Sequence, residues 1–204
     1  MQLIGMLDSP FVRRVAISLN VLRLSYDHRP LSVHREYDAF AQINPVVKAP
    51  TLITGSGVVL MDSTLILEHI EGLVPADRSL MPREPSRRET VLRQLGLSLA
   101  ACEKSVQIVY EHNLRPAEKL YQPWLDRVHG QLRAAFEMLE AEVTEDVDWS
   151  SAADMNQADI TTAVAWRFSQ YVAAEGYAEA RFPRLAARSA RAEAFAEFRA
   201  ADWA

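Results

Sequence analysis

The sequence contains very little cysteine and no long apolar stretch. Cys102 is the one cysteine among 204 residues, so no disulfide can form within the chain, as is typical of proteins in a reducing cytoplasm. No apolar run approaches the roughly 20 residues of a membrane-spanning helix. The first residues, MQLIGMLDSP, lack the basic start and the apolar run of a signal peptide. The composition therefore predicts a soluble cytoplasmic protein without a membrane partner.

Positive charge is also scarce. The chain has 22 lysine and arginine residues against 27 aspartate and glutamate residues, a formal net charge of −5. Nucleic-acid binding depends largely on neutralising phosphates, so this balance argues against a nucleic-acid partner. We interpret the neighbouring Arg13 and Arg14 as part of a solvated helix face. The histidines lack metal-ligand spacing, and we predict no metal site; they stand at positions 28, 34, 69, 112 and 129.

The beginning of the chain alternates between strand and helix patterns. The runs Met1–Met6 and Leu24–Leu31 indicate strands, and a short helix is predicted over Arg35–Ile43. Between the two strands, Ser9 and Pro10 mark the start of a helix. Its apolar residues recur at helical spacing: Phe11, Val15, Leu19 and Leu22. Because a helix joins the first two strands, we expect them to be parallel.

Residues 43–70 carry the densest group of local signals. Pro50 directly precedes the β-branched run Thr51–Thr54, and a proline can begin a strand but not lie in its middle. Gly55-Ser56-Gly57 predicts a hairpin loop into a second strand, Val58–Met61. Asp62 and the residues after it are typical of a helix start. The whole N-terminal pattern therefore predicts a small α/β domain with a mixed sheet.

The same stretch offers three features to a ligand. A cis-proline leaves the backbone N–H and C=O of Ala49 free to pair with an extended chain. The N-terminus of the helix after Met61 is a natural seat for a carboxylate, and Asp62 can hold an ammonium group. Together they describe a site for the amino-acid-like end of a peptide. The alternative is a hairpin followed by a capped helix, with no ligand.

Helical patterns dominate the rest of the chain. Two long helices are predicted over Ser86–His112 and Pro116–Val143, followed by an acidic loop over 144–151. Asn156 and Asp159 form a capping-box pattern before a helix that is apolar nearly all round, which we expect at the centre of this domain. Shorter helices begin at Pro183 and near Ala192. We predict an N-terminal domain over 1–74, a proline-rich linker over 75–85 and an all-helical domain over 86–204.

The order of these motifs resembles that of cytosolic glutathione S-transferases. The motifs are S-P-F-x-x-R from Ser9, N-P-x-x-K-x-P-x-L from Asn44 and D-S at Asp62, followed by the helical domain with its capping box. The resemblance covers essentially the whole chain. It implies a thioredoxin-like N-terminal domain with a mixed four-stranded sheet that binds glutathione. The helical domain then supplies most of the second-substrate pocket, and the protein forms a homodimer.

The resemblance also implies roles for individual residues. Ser9 matches the hydroxyl that hydrogen-bonds the glutathione sulfur, which makes the chain most similar to the serine-type, tau- or theta-like classes. Glutaredoxins and omega-like proteins have a cysteine at this position and exchange disulfides. Ala49 matches the residue whose backbone pairs with the cysteinyl part of glutathione, beside the cis-proline Pro50. Lys48 matches the position that approaches the glycine carboxylate; the alternative is a solvated surface lysine.

Asp62 and Ser63 match the pair that holds the γ-glutamyl ammonium and carboxylate, and His34 is expected to assist. The residues expected in the second-substrate pocket are Phe11, Arg13 and Tyr110. Three positions depart from the usual pattern: Val47, Ala49 and Asp62 stand where the family usually has glycine, valine or isoleucine, and glutamate. Asp62 is one methylene shorter than glutamate, so it can hold the ammonium less tightly or through water.

The predicted function is conjugation of the glutathione thiolate to a hydrophobic electrophilic small molecule. Glutathione is the co-substrate, no other cofactor is expected, and Ser9 stabilises the thiolate. The alternative is a glutathione-transferase-like binding or interaction protein that keeps the fold and the dimer without the reaction.

Overall fold

The computed structural model describes residues 1–143 and 149–203, so most of the predicted acidic loop lies outside the described residues. Within them, the strands are β1 (Gln2–Ile4), β2 (Asp27–Arg29), β3 (Thr51–Ile53) and β4 (Val59–Met61). The helices are α1 (Pro10–Val21), α2 (Tyr37–Ala41), α3 (Ser63–Glu71), α4 (Pro85–Leu114), α5 (Gln122–Glu142), α6 (Gln157–Ala173), α7 (Pro183–Glu193) and α8 (Ala196–Arg199).

The four strands form one mixed sheet in the order β2-β1-β3-β4. Strand β1 is parallel to β2 and antiparallel to β3, and β3 is antiparallel to β4. The predicted parallel pair and the thioredoxin-like domain are therefore confirmed. Leu3 and Leu52 pair across β1 and β3 and are fully buried, because the sheet is covered on that side.

By its contacts the chain divides into two compact units. The first contains Met1–Met81, Ser150–Asn156 and Ala194–Ala204, and the second contains Pro82–Trp149 and Gln157–Glu193. In the first unit α1 packs against β1, α3 and α8. The predicted boundaries at 75–85 stay a prediction. The structure adds that the last residues of the chain contact the N-terminal sheet domain.

The second unit is entirely helical in its described part, and α6 lies at its centre against α4 and α7. Nearly every residue of the first half of α6 is buried, as its all-round apolar pattern predicts. The aromatic ring of Trp166 packs edge to face against those of Phe136 and Phe182, and Phe136 and Phe182 are tilted against each other, with centroids 5.3 to 6.0 Å apart. Cys102 is buried in α4.

Helix α5 begins at Gln122 and not at the predicted Pro116. Pro123 explains the difference, because a proline inside a helix removes a hydrogen bond to the preceding turn, whereas in the first turn that bond is absent anyway. The residues before it, Ala117–Lys119, form a short 3-10 turn. Across the ranges 1–143 and 149–203, no helix combines the length and the apolarity required to cross a membrane.

Candidate functional site

The strand register brings the three predicted ligand-binding segments to one edge of the sheet. Ile4, the last residue of β1, pairs with Thr51, the first residue of β3, and Thr51 pairs with Met61, the last residue of β4. The loop after β1, the loop before β3 and the segment after β4 therefore leave the sheet at the same edge. These segments carry Ser9, Pro50 and Asp62.

Ser9 lies at the start of α1 with an extended backbone (φ −71°, ψ 122°) and a partly buried side chain. It occupies the predicted N-cap position, and its carbonyl accepts a hydrogen bond from the Arg13 N–H at 2.9 Å. Its hydroxyl, however, makes no capping bond to the helix. The hydroxyl is thus available to a ligand at a helix N-terminus, where the backbone dipoles favour negative charge.

Ala49 and Pro50 are joined by a cis peptide bond, as predicted. The backbone N–H and C=O of Ala49 have no hydrogen-bond partner in the described part of the chain. Gly5 lies next to this loop with φ +137°, and a Cβ on Gly5 would come within 3.1 Å of the Ala49 Cβ and 2.6 Å of Val12 Cγ2. Only glycine fits there, and the close approach brings the Ser9 loop beside the Ala49 loop.

A buried hydrogen-bond network shapes the loop before β3. The Thr51 hydroxyl donates to the Lys48 carbonyl at 2.7 Å and accepts from the Asn44 side-chain amide at 2.9 Å, while Asn44 Oδ1 accepts from the Val46 N–H at 3.1 Å. The sequence analysis did not predict this role of Asn44 and Thr51. The feature of the sequence that points to it is the pair Asn44-Pro45, because asparagine side chains bond nearby backbone groups in turns.

Val47 adopts a left-handed backbone conformation, with φ +51°. Glycine takes this conformation without strain, whereas a β-branched residue does so only when its surroundings hold it. The left-handed backbone at position 47 therefore explains why the family that this sequence resembles usually has glycine at this position. In this chain the neighbouring Asn44 network supplies the restraint.

Asp62 begins α3 and approaches Lys48. Its Oδ1 accepts a hydrogen bond from the Thr64 N–H at 2.9 Å, which confirms the predicted helix start. Its Oδ2 lies 3.9 Å from Lys48 Nζ, and both side chains are about half exposed, at 46% and 51%. An ion pair this exposed contributes little stability, so the carboxylate can exchange Lys48 for the ammonium group of a ligand.

Ser63 is buried, and its side chain is hydrogen-bonded to a buried arginine. The Arg14 Nη1 donates to Ser63 Oγ at 3.0 Å and more weakly to Thr64 Oγ1 at 3.4 Å. Because a guanidinium can only donate, Ser63 Oγ acts as the acceptor and keeps its own hydrogen for another partner. Arg14 is fully buried, so the prediction of a solvated helix face is wrong.

Arg13 is also fully buried, and its predicted place in a second-substrate pocket is wrong. Its Nε donates to the Ala201 carbonyl at 3.0 Å and its Nη2 to the Phe198 carbonyl at 3.4 Å. The guanidinium also lies 4.7 Å from the centroid of the Trp203 ring. The C-terminal segment thus covers a face of α1 that the sequence pattern alone predicts to be exposed to solvent.

The remaining predicted residues lie in different places. His34 is exposed and Phe11 is partly buried in the first unit, whereas Tyr110 lies on α4 in the second unit. Burial raises the pKa of the Tyr110 hydroxyl above its ordinary value of 10.0, so this group stays protonated at neutral pH. Their roles in binding stay predictions.

Comparison with known proteins identifies relatives of similar architecture. Residues 3–78 match the family model described as glutathione S-transferase, N-terminal domain. The uncharacterized GST-like protein YibF of Escherichia coli K12 is 29% identical over 69% of this chain and 68% of its own length. A glutathione transferase family member from Pseudomonas fluorescens Pf-5, solved with bound glutathione, is 28% identical with a TM-score of 0.84, covering 98% of this chain and 97% of that chain.

A second solved structure shares the fold over the same extent. It is a glutathione S-transferase from Methylobacterium radiotolerans in complex with glutathione sulfonate, 24% identical with a TM-score of 0.88, covering 98% of this chain and 93% of that chain. Matches to other curated relatives are shorter and span between 36% and 56% of their length.

Proposed function

Because the chain belongs to the glutathione S-transferase family, we propose that it is a serine-type glutathione transferase. It binds glutathione at the sheet edge of its first unit and conjugates the thiolate to a hydrophobic electrophile. The observation that carries this proposal is the Ser9 hydroxyl, which makes no capping bond although it stands at the start of α1. A hydroxyl used only to begin a helix would bond the first-turn N–H groups.

Each part of glutathione has a partner in this proposal. The γ-glutamyl ammonium pairs with Asp62, and its carboxylate accepts from the Ser63 hydroxyl and the N-terminus of α3. The cysteinyl backbone pairs with the N–H and C=O of Ala49, beside Pro50. Lys48 approaches the glycine carboxylate, and the exposed His34 assists it.

The reaction needs glutathione and no further cofactor. Ser9 donates a hydrogen bond to the sulfur, which favours ionisation of the thiol, and the proton passes to solvent. The thiolate then attacks the electrophilic carbon, a carbon–sulfur bond forms, and the displaced group leaves with its electron pair. Phe11, which lies in the same unit as Ser9, is proposed to face the electrophile, and the role of Tyr110 stays a prediction. Such a reaction consumes reactive small molecules, which makes detoxification the proposed biological role.

A calorimetric titration with reduced glutathione tests the binding site. We expect saturable binding of wild type in the micromolar to low millimolar range. Ser63→Ala should weaken it about tenfold, because a hydrogen bond to a charged carboxylate is worth about 1.5 kcal/mol or more. Thr64→Val is the matched control, since it removes the longer Arg14 contact and leaves Ser63 in place; its affinity should stay within about twofold of wild type.

Two results would count against this site. Equal affinity of Ser63→Ala and wild type would remove Ser63 from it. The absence of heat with wild type at several temperatures would overturn glutathione binding and favour the non-catalytic interaction protein. The short Asp62, already bonded to the Thr64 N–H, is the feature that supports this second candidate.

We also propose a homodimer, with β4 and α3 of one subunit facing α4 of the other. Apolar side chains are exposed on these elements, including Val59 (44%), Leu65 (60%) and Leu92 (48%). Leu65→Asp should convert the dimer to a monomer in sedimentation at micromolar concentration, because it places a charge in an apolar interface. Leu73, which is also exposed (49%), offers the control Leu73→Asp, and a monomeric wild type would refute the proposal.

A cytoplasmic location is proposed on the single cysteine of the chain. Fractionation of cells that produce the protein would test it, and recovery outside the cytoplasm would contradict it.

A further inference from the structure

The loop that carries Ser9 is connected to the sheet through a glycine. Gly5 follows β1 with φ +137°, a conformation that side chains rarely adopt, and glycine is the residue with the greatest backbone freedom. Between Gly5 and α1 the described backbone contacts include one hydrogen bond within the loop, from the Ser9 N–H to the Met6 carbonyl at 3.2 Å. The position of Ser9 therefore depends on how the Gly5 peptide is held.

Both polar backbone groups of Gly5 are bound to β2. Its N–H donates to the Arg29 carbonyl at 3.1 Å, which continues the parallel ladder by one step. Its carbonyl accepts from the ring of His28, whose Nε2 lies 2.8 Å away. Because a carbonyl oxygen can only accept, Nε2 carries the hydrogen in this bond. The side chain of His28 thus fixes the orientation of the peptide between Gly5 and Met6.

We propose that His28 is a positioning residue for Ser9, an inference that rests on the proposed function. In this proposal the His28 side chain does not touch glutathione. It fixes the Gly5 peptide, and through the loop 5–9 it fixes the direction of the Ser9 hydroxyl at the start of α1. A small misplacement of such a hydroxyl lowers the rate steeply, because the hydrogen bond to sulfur depends on distance and angle.

Three variants separate this role from simple packing. His28→Leu removes the donor and keeps an apolar side chain. His28→Gln retains a donor, because the glutamine amide nitrogen reaches about as far along the side chain as Nε2. His28→Asn also has an amide, but it is too short to reach the Gly5 carbonyl and serves as the matched control. Thermal unfolding of each variant reports any general loss of stability.

Kinetics with glutathione and an activated aryl halide give the first readout. For His28→Leu and His28→Asn we expect kcat to fall about tenfold and the pKa of the bound thiol to rise, with glutathione affinity within about twofold of wild type. Affinity is retained because Ala49, Asp62 and Ser63 are untouched. His28→Gln should stay within about twofold of wild type in every parameter.

Hydrogen exchange of the amides of residues 6–9 in the ligand-free protein gives a readout that requires no activity. We expect faster exchange in His28→Leu and His28→Asn, and wild-type exchange in His28→Gln. If wild type neither binds glutathione nor turns it over, the proposed function fails and the exchange measurement alone decides the positioning role. Wild-type exchange and kinetics in His28→Leu, or equal impairment of His28→Gln and His28→Leu, would overturn it.

Discussion

Replacing Ser9 by alanine is expected to lower kcat for an activated aryl halide by about two orders of magnitude. Removing one preorganised hydrogen-bond donor from a developing or stabilised anion typically has an effect of this size. Ser9 lies at the N-terminus of α1 and its hydroxyl makes no capping bond, so its loss should leave the helix itself nearly unchanged. The unfolding transition of the variant should therefore match that of wild type.

The pH dependence of the same variant identifies the cause. The Ser9 hydroxyl stabilises the thiolate over the thiol, so it lowers the pKa of bound glutathione, and alanine should raise that pKa again. Each unit of increase corresponds to about 1.4 kcal/mol between the two protonation states. The rate of the variant should consequently recover as the pH rises, whereas the wild-type rate should already be at its plateau near neutral pH.

Ser9→Thr provides the matched control for this prediction. It keeps the hydroxyl, and the extended backbone at this position accepts a β-branched residue. We expect threonine to retain most of the activity that alanine loses. Turnover of Ser9→Ala equal to that of wild type would remove Ser9 from the mechanism, even if glutathione binding by the protein were established.

Sequence patterns predicted those parts of the site that depend on neighbouring residues. The helix start at Asp62 is encoded within a few positions of itself, and the structure confirms it. The cis-proline at Pro50 was implied by the family resemblance, and the structure confirms it as well. The parallel pairing of β1 and β2 also follows from a local rule, because a helix joins them. These features could be predicted without knowing what lies opposite them in space.

The errors concern residues whose partners are distant in the chain. Arg14 bonds Ser63, 49 positions away, and Arg13 bonds Ala201, 188 positions away. Two adjacent arginines on a helix are ordinarily solvated, since burying a charge without partners is costly. Only the packing of α3 and α8 against α1 supplies those partners. The contact of His28 with Gly5 was missed for the same reason, because a strand pattern does not show which backbone carbonyl a side chain reaches.

Replacing Arg13 by alanine is expected to lower the free energy of unfolding by about 3 to 5 kcal/mol. The substitution leaves the Ala201 carbonyl without its guanidinium donor, and a buried unpaired acceptor costs about 1 to 3 kcal/mol. The Phe198 carbonyl loses the 3.4 Å contact with Arg13 but still accepts from the Ala201 N–H at 3.1 Å. It also removes the stacking of the cation on the Trp203 ring, worth about 2 kcal/mol where the pair is desolvated.

Urea denaturation measures this loss, and two further variants locate it. Arg127→Ala removes an exposed arginine from α5 and should change stability by about 0.5 kcal/mol or less. Arg13→Lys should fall between wild type and alanine, because an ammonium keeps the charge but lacks the planar fork that reaches both carbonyls. The C-terminal residues of Arg13→Ala should also become sensitive to carboxypeptidase, since the substitution removes the hydrogen bonds that Arg13 donates to this segment. Wild-type stability and protease resistance in Arg13→Ala would mean that packing of α8, and not the buried cation, holds the end of the chain against the domain that carries Ser9.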